Sequence, residues 1–195
     1  MPGAVLFHLY SVILCCLFPS FLLADELEDL VTDSKILITS YSSQMQMAYE
    51  TAYNSKNPLA VEEVCKKAAT SIARSLAKDG WKIGRTSLDI LNQDNAPDHI
   101  EKNILDNFND KQGSGTETEK LSWYKFTEVG NHSEFRYIKA FELEQRCMTC
   151  HSSQRNKEES LPDLAAWIVK RTETKNYFPD QNQLDHYKPL PVFEE

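Results

Sequence analysis

Apolar residues recur at spacings of three and four through Leu27, Leu30, Val31, Ile38, Tyr41, Met45, Ala48 and Ala52, with polar residues between them. That period predicts an amphipathic helix over 25–55. Its acidic start, Asp25-Glu26-Leu27-Glu28-Asp29, suits the positive end of a helix dipole. Asn57-Pro58 breaks the run, since asparagine caps a new helix and proline fits its first position. A second helical period covers 58–78 through Val61, Val64, Cys65, Ala68, Ala69, Ile72, Ala73 and Leu76, and Gly80 stops it. Cys65 falls on the inward side of that helix, beside two alanines whose small side chains leave room for a flat group or for close helix packing.

The period then changes. Residues 81–88 read as a strand, and Pro97 opens a helix to 110 with Ile100, Ile104, Leu105 and Phe108 on one face. Strict alternation over 121–129 and 135–143, joined by Gly130-Asn131, predicts a hairpin. It sets Phe135, Tyr137, Lys139 and Phe141 on one side and Arg136, Ile138, Ala140 and Glu142 on the other. Residues 161–170, with Pro162 near the start, read as a short closing helix with Leu164, Ala165, Ile168 and Val169 inward. The tail from Tyr177, with Pro179, Pro189 and Pro191, is irregular. The expected class is α+β: two long N-terminal helices and a small antiparallel sheet.

The start of the chain changes the picture of where this domain resides. Residues 4–24 are almost purely apolar and resemble a secretory signal cut after Ala24. No lysine or arginine precedes the apolar run, and Leu22 stands where a small residue is usual, so a retained membrane anchor is the alternative. Either reading puts 25–195, one domain, in a periplasmic or equivalent extracytoplasmic compartment. A membrane is a partner only if the segment is retained. The net charge of −8 argues against nucleic acid as a partner.

Candidate chemistry concentrates in 147–151, Cys-Met-Thr-Cys-His. Two cysteines separated by two residues and followed by histidine form the attachment signature of c-type haem. Cys147 and Cys150 would form thioethers with the two porphyrin vinyl groups, and His151 would then reach the iron as proximal ligand. A zinc site would need a second ligand pair, which the sequence lacks. A thioredoxin-type motif would sit early in a βαβ unit. A disulfide between the two cysteines would leave His151 without a role. One covalent haem c is therefore the expected cofactor.

The remaining cysteines are Cys15 and Cys16, inside the leader, and Cys65. Cys65 is either a buried small hydrophobe or an iron ligand. His99, His132 and His186 read as surface residues. Met45 fits the apolar stripe of the first helix, Met47 is a ligand only by its chemistry, and Met148 lies inside the motif.

Three stretches taken in order resemble a known family. They are 60–65 (Ala-Val-Glu-Glu-Val-Cys); 84–88 (Gly-Arg-Thr-Ser-Leu) with 95–98 (Asn-Ala-Pro-Asp); and 135–140 (Phe-Arg-Tyr-Ile-Lys-Ala) leading into the motif. Over roughly 30–170 the chain resembles exported single-haem c-type domains with a PAS-like fold, found alone or as the sensing part of bacterial receptors. The resemblance implies that Cys65 binds the iron opposite His151. Arg85 is then expected beside the haem, neutralising a propionate, against the alternative of a solvated charge on a strand. The chain departs from the family at 91–93, Leu-Asn-Gln where Arg-Asn-Pro is frequent, and in its tail, which lacks a clear final Gly- and Arg-containing strand.

These features imply a redox or diatomic-gas sensor working by axial-ligand exchange, read by a signalling partner. The alternative is an electron-transfer cytochrome with a redox partner. Enzymatic catalysis is not expected, because Cys65 would fill the iron position that substrate needs.

Overall fold

The computed structural model describes residues 18–90, 93–143 and 164–173. The first helix, α1 (Phe18–Asn54), spans the predicted amphipathic run. Asn57 caps α2 (Pro58–Glu63) by accepting the Leu59 amide, with Pro58 in the first turn. The second predicted helix is not uniform: a π-helical turn, Val64–Ala68, separates α2 from α3 (Ala69–Leu76). Among the described residues no helix is long and apolar enough to cross a membrane.

Four strands follow: β1 (Trp81–Ser87), β2 (Ser122–Val129), β3 (His132–Glu142) and β4 (Leu164–Glu173). They form one antiparallel sheet in the order β1-β4-β3-β2. With α4 (His99–Gly113) between β1 and β2, the class is α+β, as expected. The β2–β3 hairpin turns at Gly130, whose φ of 61° suits glycine. The predicted alternation on β3 holds, because Tyr137 and Phe135 share a cluster with α1 while Ile138 and Ala140 share one with α4.

Two predicted elements need correction. The closing helix over 161–170 is instead β4, and it lies inside the sheet between β1 and β3. Leu-Ala-Ala-Trp-Ile-Val has no polar face because both of its faces are covered. Ala166 and Ile168 pack under α4, while Val169 and Trp167 pack under α1. The helix after Pro97 starts later, at His99. Its cap is Asp98, whose carboxylate accepts the Ile100 and Glu101 amides while Glu101 accepts the Asp98 amide, a reciprocal capping box.

The helical layer ends at Leu76 with Ala77 as its cap, before the predicted stop at Gly80, and Gly80 instead admits the sheet. Its φ is 83°, and a Cβ there would meet the Thr172 carbonyl oxygen at 3.1 Å. Gly80→Ala is expected to cost about 1–2 kcal/mol, measured by urea unfolding, and a neutral substitution would contradict this strained close approach.

Candidate functional site

The sheet has two differently used faces. On the α4 face the stretches singled out in the sequence are joined to one another. Buried Thr86 donates to the Asn95 carbonyl at 2.8 Å and so holds the segment that leads into α4. Asp98, at the end of that segment, pairs with Arg136 on β3 and lies 3.5 Å from Lys170 on β4. Arg136 also meets Glu134 at 2.7 Å, and Lys170 meets Glu101 at 2.5 Å. The side chains of Arg136, Glu134 and Glu101 are almost wholly buried. Glu101 Oε1, Glu134 Oε1 and Arg136 Nε lie within ion-pair reach but make no aligned hydrogen bond, so charge rather than direction holds them.

Burial alone would raise the Asp98 pKa. The Glu101 amide, the Arg136 guanidinium and the Lys170 ammonium outweigh it and lower the value to about 2. This group of charges fixes α4 to the sheet, and it accounts for two of the three stretches as framework.

The other face carries a different cluster. Arg85 and Thr86 are adjacent on β1 and point to opposite faces. Arg85 is half-buried, with its guanidinium 5.8 Å from the centre of the Tyr41 ring. Tyr41 on α1 is 2% exposed, and its ring meets Trp167 edge-on at 5.1 Å. Trp167 in turn stacks on Phe141 at 4.6 Å. The Tyr41 hydroxyl donates to the Ala69 carbonyl at 3.2 Å, the first residue after the π-helical turn. Desolvation raises the Tyr41 pKa and Arg85 opposes that shift, so the hydroxyl stays a neutral donor near neutral pH. Sequence reasoning missed Tyr41 and Trp167 as site residues. Tyr41 looked like one more member of an apolar stripe, and Trp167 was hidden inside the misassigned helix.

Topology relates this cluster to the two candidate ligand segments. Glu142 pairs with Leu164, so the connection 143–163, which contains the motif, leaves and re-enters the sheet at one end. Trp167 lies three residues from Leu164, about 10 Å along the strand. α3 runs away from that end, from Ala69 beside Tyr41 to Leu76, which packs in the same cluster as Trp81. Trp81 pairs with Arg171 at the far end of the sheet. The π-helical turn precedes Ala69, with Cys65 roughly 6 Å, one helical turn, further on. Met45 is the last α1 residue packed in the sheet cluster, while buried Ala52 and Val61 belong to neither sheet cluster. The end of α1, α2 and the π-helical turn therefore project past the sheet at the end from which 143–163 emerges.

Two shallow grooves run along the seam between α1 and the second helical segment. One, of about 480 Å³, is lined by residues that include Met47, Ala48, Ala52, Ala60 and Val64. The other, of about 330 Å³, includes Gln44, Met47, Ala48, Ala68 and Ile72. They flank the turn that carries Cys65. Both linings mix small apolar side chains with polar ones, Thr51, Ser55 and Glu63 in the first and Gln44 and Ser71 in the second. Among the described residues no group of three or more His, Cys, Asp or Glu side chains is placed to hold a bare metal ion.

Cys147, Cys150 and His151 lie outside the described residues, as do His186, the tail from 177 and the proposed cleavage junction's apolar run before Phe18. His99 is exposed and His132 is half-buried at the start of β3. Met45 packs in the core, as its stripe position implied, and Met47 is 67% exposed.

The family whose description is Tll0287-like matches residues 24–179. No curated protein and no solved structure matches the chain.

Proposed function

The chain belongs to the Tll0287-like family, and on that premise we propose that it is an exported c-type haem protein that senses redox state or a diatomic ligand. Membership suggests a haem-binding, cytochrome-like protein. In the finer reading, Cys147 and Cys150 would anchor the haem, and His151 and Cys65 would hold its iron. The haem supplies an iron centre that changes oxidation state and accepts small ligands.

The observation that carries this reading is the convergence at one end of the sheet. Glu142 and Leu164, which flank the stretch containing the motif, pair at one end of the sheet, and the helical path from Ala69 back to Cys65 leads toward the same end, which supports this reading. A π-helical turn is a rare departure from regular helix, and such turns concentrate at functional sites. Cys65 as thiolate favours ferric iron, so reduction or protonation weakens its hold. Once released, the segment α2 to Ala68 has few sheet contacts to keep it in place, and a partner protein reads its shift. Arg85 lies on the face of the sheet that leads to this end, but its guanidinium is engaged with Tyr41. It remains a propionate partner in the proposal through its further donors.

The test is an ultraviolet–visible and electron paramagnetic resonance spectrum of the exported, haem-loaded protein in both oxidation states. A ferric low-spin thiolate signal that disappears on reduction, with uptake of CO or NO, supports the sensor. Unchanged ligation with a reversible potential makes the protein an electron carrier. Absence of covalently bound haem overturns both readings.

A further inference from the structure

We infer that Tyr41 is a positioning residue for the iron ligand: its hydroxyl holds the Cys65-bearing segment to the sheet and sets how readily Cys65 releases iron. This rests on reading Cys65 as an axial ligand. The side chain of Tyr41 touches three elements at once. Its hydroxyl donates to the Ala69 carbonyl at the end of the π-helical turn. Its ring is fixed edge-on against Trp167 of β4. The Arg85 guanidinium of β1 lies over the same ring.

The geometry separates anchoring from packing. The ring belongs to the core cluster with Ile83, Phe135, Tyr137 and Val169, and burying it stabilises the fold. The hydroxyl donates to the helical segment at Ala69, and it also meets the Arg85 side chain of β1, so it links that segment to the sheet. Ala69 lies one helical turn from Cys65, within a continuous helical path through the π-helical turn. A displacement of Cys65 away from iron therefore pulls on the Ala69 carbonyl, and the Tyr41 hydroxyl resists it. Because the ring is wedged between Trp167 and Arg85, the hydroxyl has no freedom to follow the helix. Phenylalanine at 41 would keep the ring and its packing and remove the hydroxyl's bonds to Ala69 and to Arg85.

The test measures how fast imidazole displaces Cys65 from the ferric, haem-loaded protein. At high imidazole the rate reaches a plateau set by release of Cys65. Tyr41→Phe is expected to raise that plateau about fivefold, the factor that one ordinary hydrogen bond corresponds to. Amide hydrogen exchange over 64–73 is expected to quicken in the same variant. Phe126→Leu, which disturbs the aromatic pair with Phe135 on the same face but lies away from Ala69, is expected to change neither. Cys65→Ser is the reference and should bind imidazole without a plateau. If Cys65→Ser behaves as the wild type, the ligand assignment has failed and the role of Tyr41 falls with it. If Cys65→Ser loses the plateau while Tyr41→Phe keeps the wild-type rate, the ligand stands and the inference about Tyr41 is overturned. Faster exchange without a faster plateau also overturns it, because the hydroxyl is then only structural.

Discussion

Cys65→Ser is expected to abolish the ferric low-spin thiolate spectrum of the haem-loaded protein while leaving the haem covalently attached through Cys147 and Cys150. The proposed ligand comes from α2–α3, and the proposed anchors come from the β3–β4 connection, so the two functions are separable by mutation. Loss of thiolate also removes a preference for ferric iron. For a one-electron couple each tenfold of that preference is about 59 mV. The midpoint potential should therefore rise by at least one such step. Serine is nearly isosteric, so folding and haem loading provide the internal control. Survival of the thiolate signal in this variant would falsify the assignment of Cys65.

The largest effect on stability is expected at Arg136. Its side chain is 7% exposed and pairs with Glu134, Asp98 and Glu101, two of which are themselves buried. Arg136→Met keeps the length and apolar stem but leaves Asp98 and Glu101 with Lys170 as their one remaining cation among the pairs described, and removes the cation paired with Glu134. Breaking one side of a buried charge group costs about 3–5 kcal/mol, against about 0–1 kcal/mol for an exposed pair. Urea unfolding at neutral pH should show the larger figure.

The acid side of the profile checks the same network. The Asp98 pKa is lowered in the fold to about 2, against an unfolded value of about 3.9. A depressed carboxylate contributes stability that is full above the unfolded value and is lost as pH falls through the folded one. The wild type should lose that contribution between these limits. The variant has already lost part of it, so the gap between the two should narrow as pH falls toward 2. A neutral-pH loss below about 1 kcal/mol would mean that the group behaves as a surface network.

The elements that were legible in the sequence each carried a local signal: a single covered face for α1, a capping asparagine and proline at 57–58, and a Gly130-Asn131 turn between two runs of strand formers for β2 and β3. β4 has none of these. A strand covered on both faces shows no alternation, and Ala165-Ala166 carries a helix preference that packing overrides. The π-helical turn was invisible for another reason. It is a backbone hydrogen-bonding event, and Val64-Cys65-Lys66-Lys67-Ala68 carries the same pattern as the regular helix on either side.

The site was legible to a similar degree. Cys65, the Cys-x-x-Cys-His pattern at 147–151 and Arg85 on a strand could each be named from residue type and spacing. Their relation could not, because it depends on β4 lying between β1 and β3, with Trp167 under Tyr41. The family resemblance rested in part on 84–88 and 95–98, and of these residues only Arg85 was expected beside a haem. Thr86, Asn95 and Asp98 instead belong to the framework under α4, and only Arg85 turns to the other face.

The strand order also carries a consequence for timing. β1 joins the sheet only through β4, and in the pairing of Trp81 with Arg171 the partners lie far apart in sequence. Closing such a long loop is slow compared with forming a local hairpin. β2 and β3 can pair as soon as they emerge, whereas β1 must wait for residues beyond 147–151. Residues 147–151 thus precede in synthesis the strand that completes the sheet. Until β4 has formed, the β1 edge stays open and Tyr41 lacks the Trp167 ring that seats it.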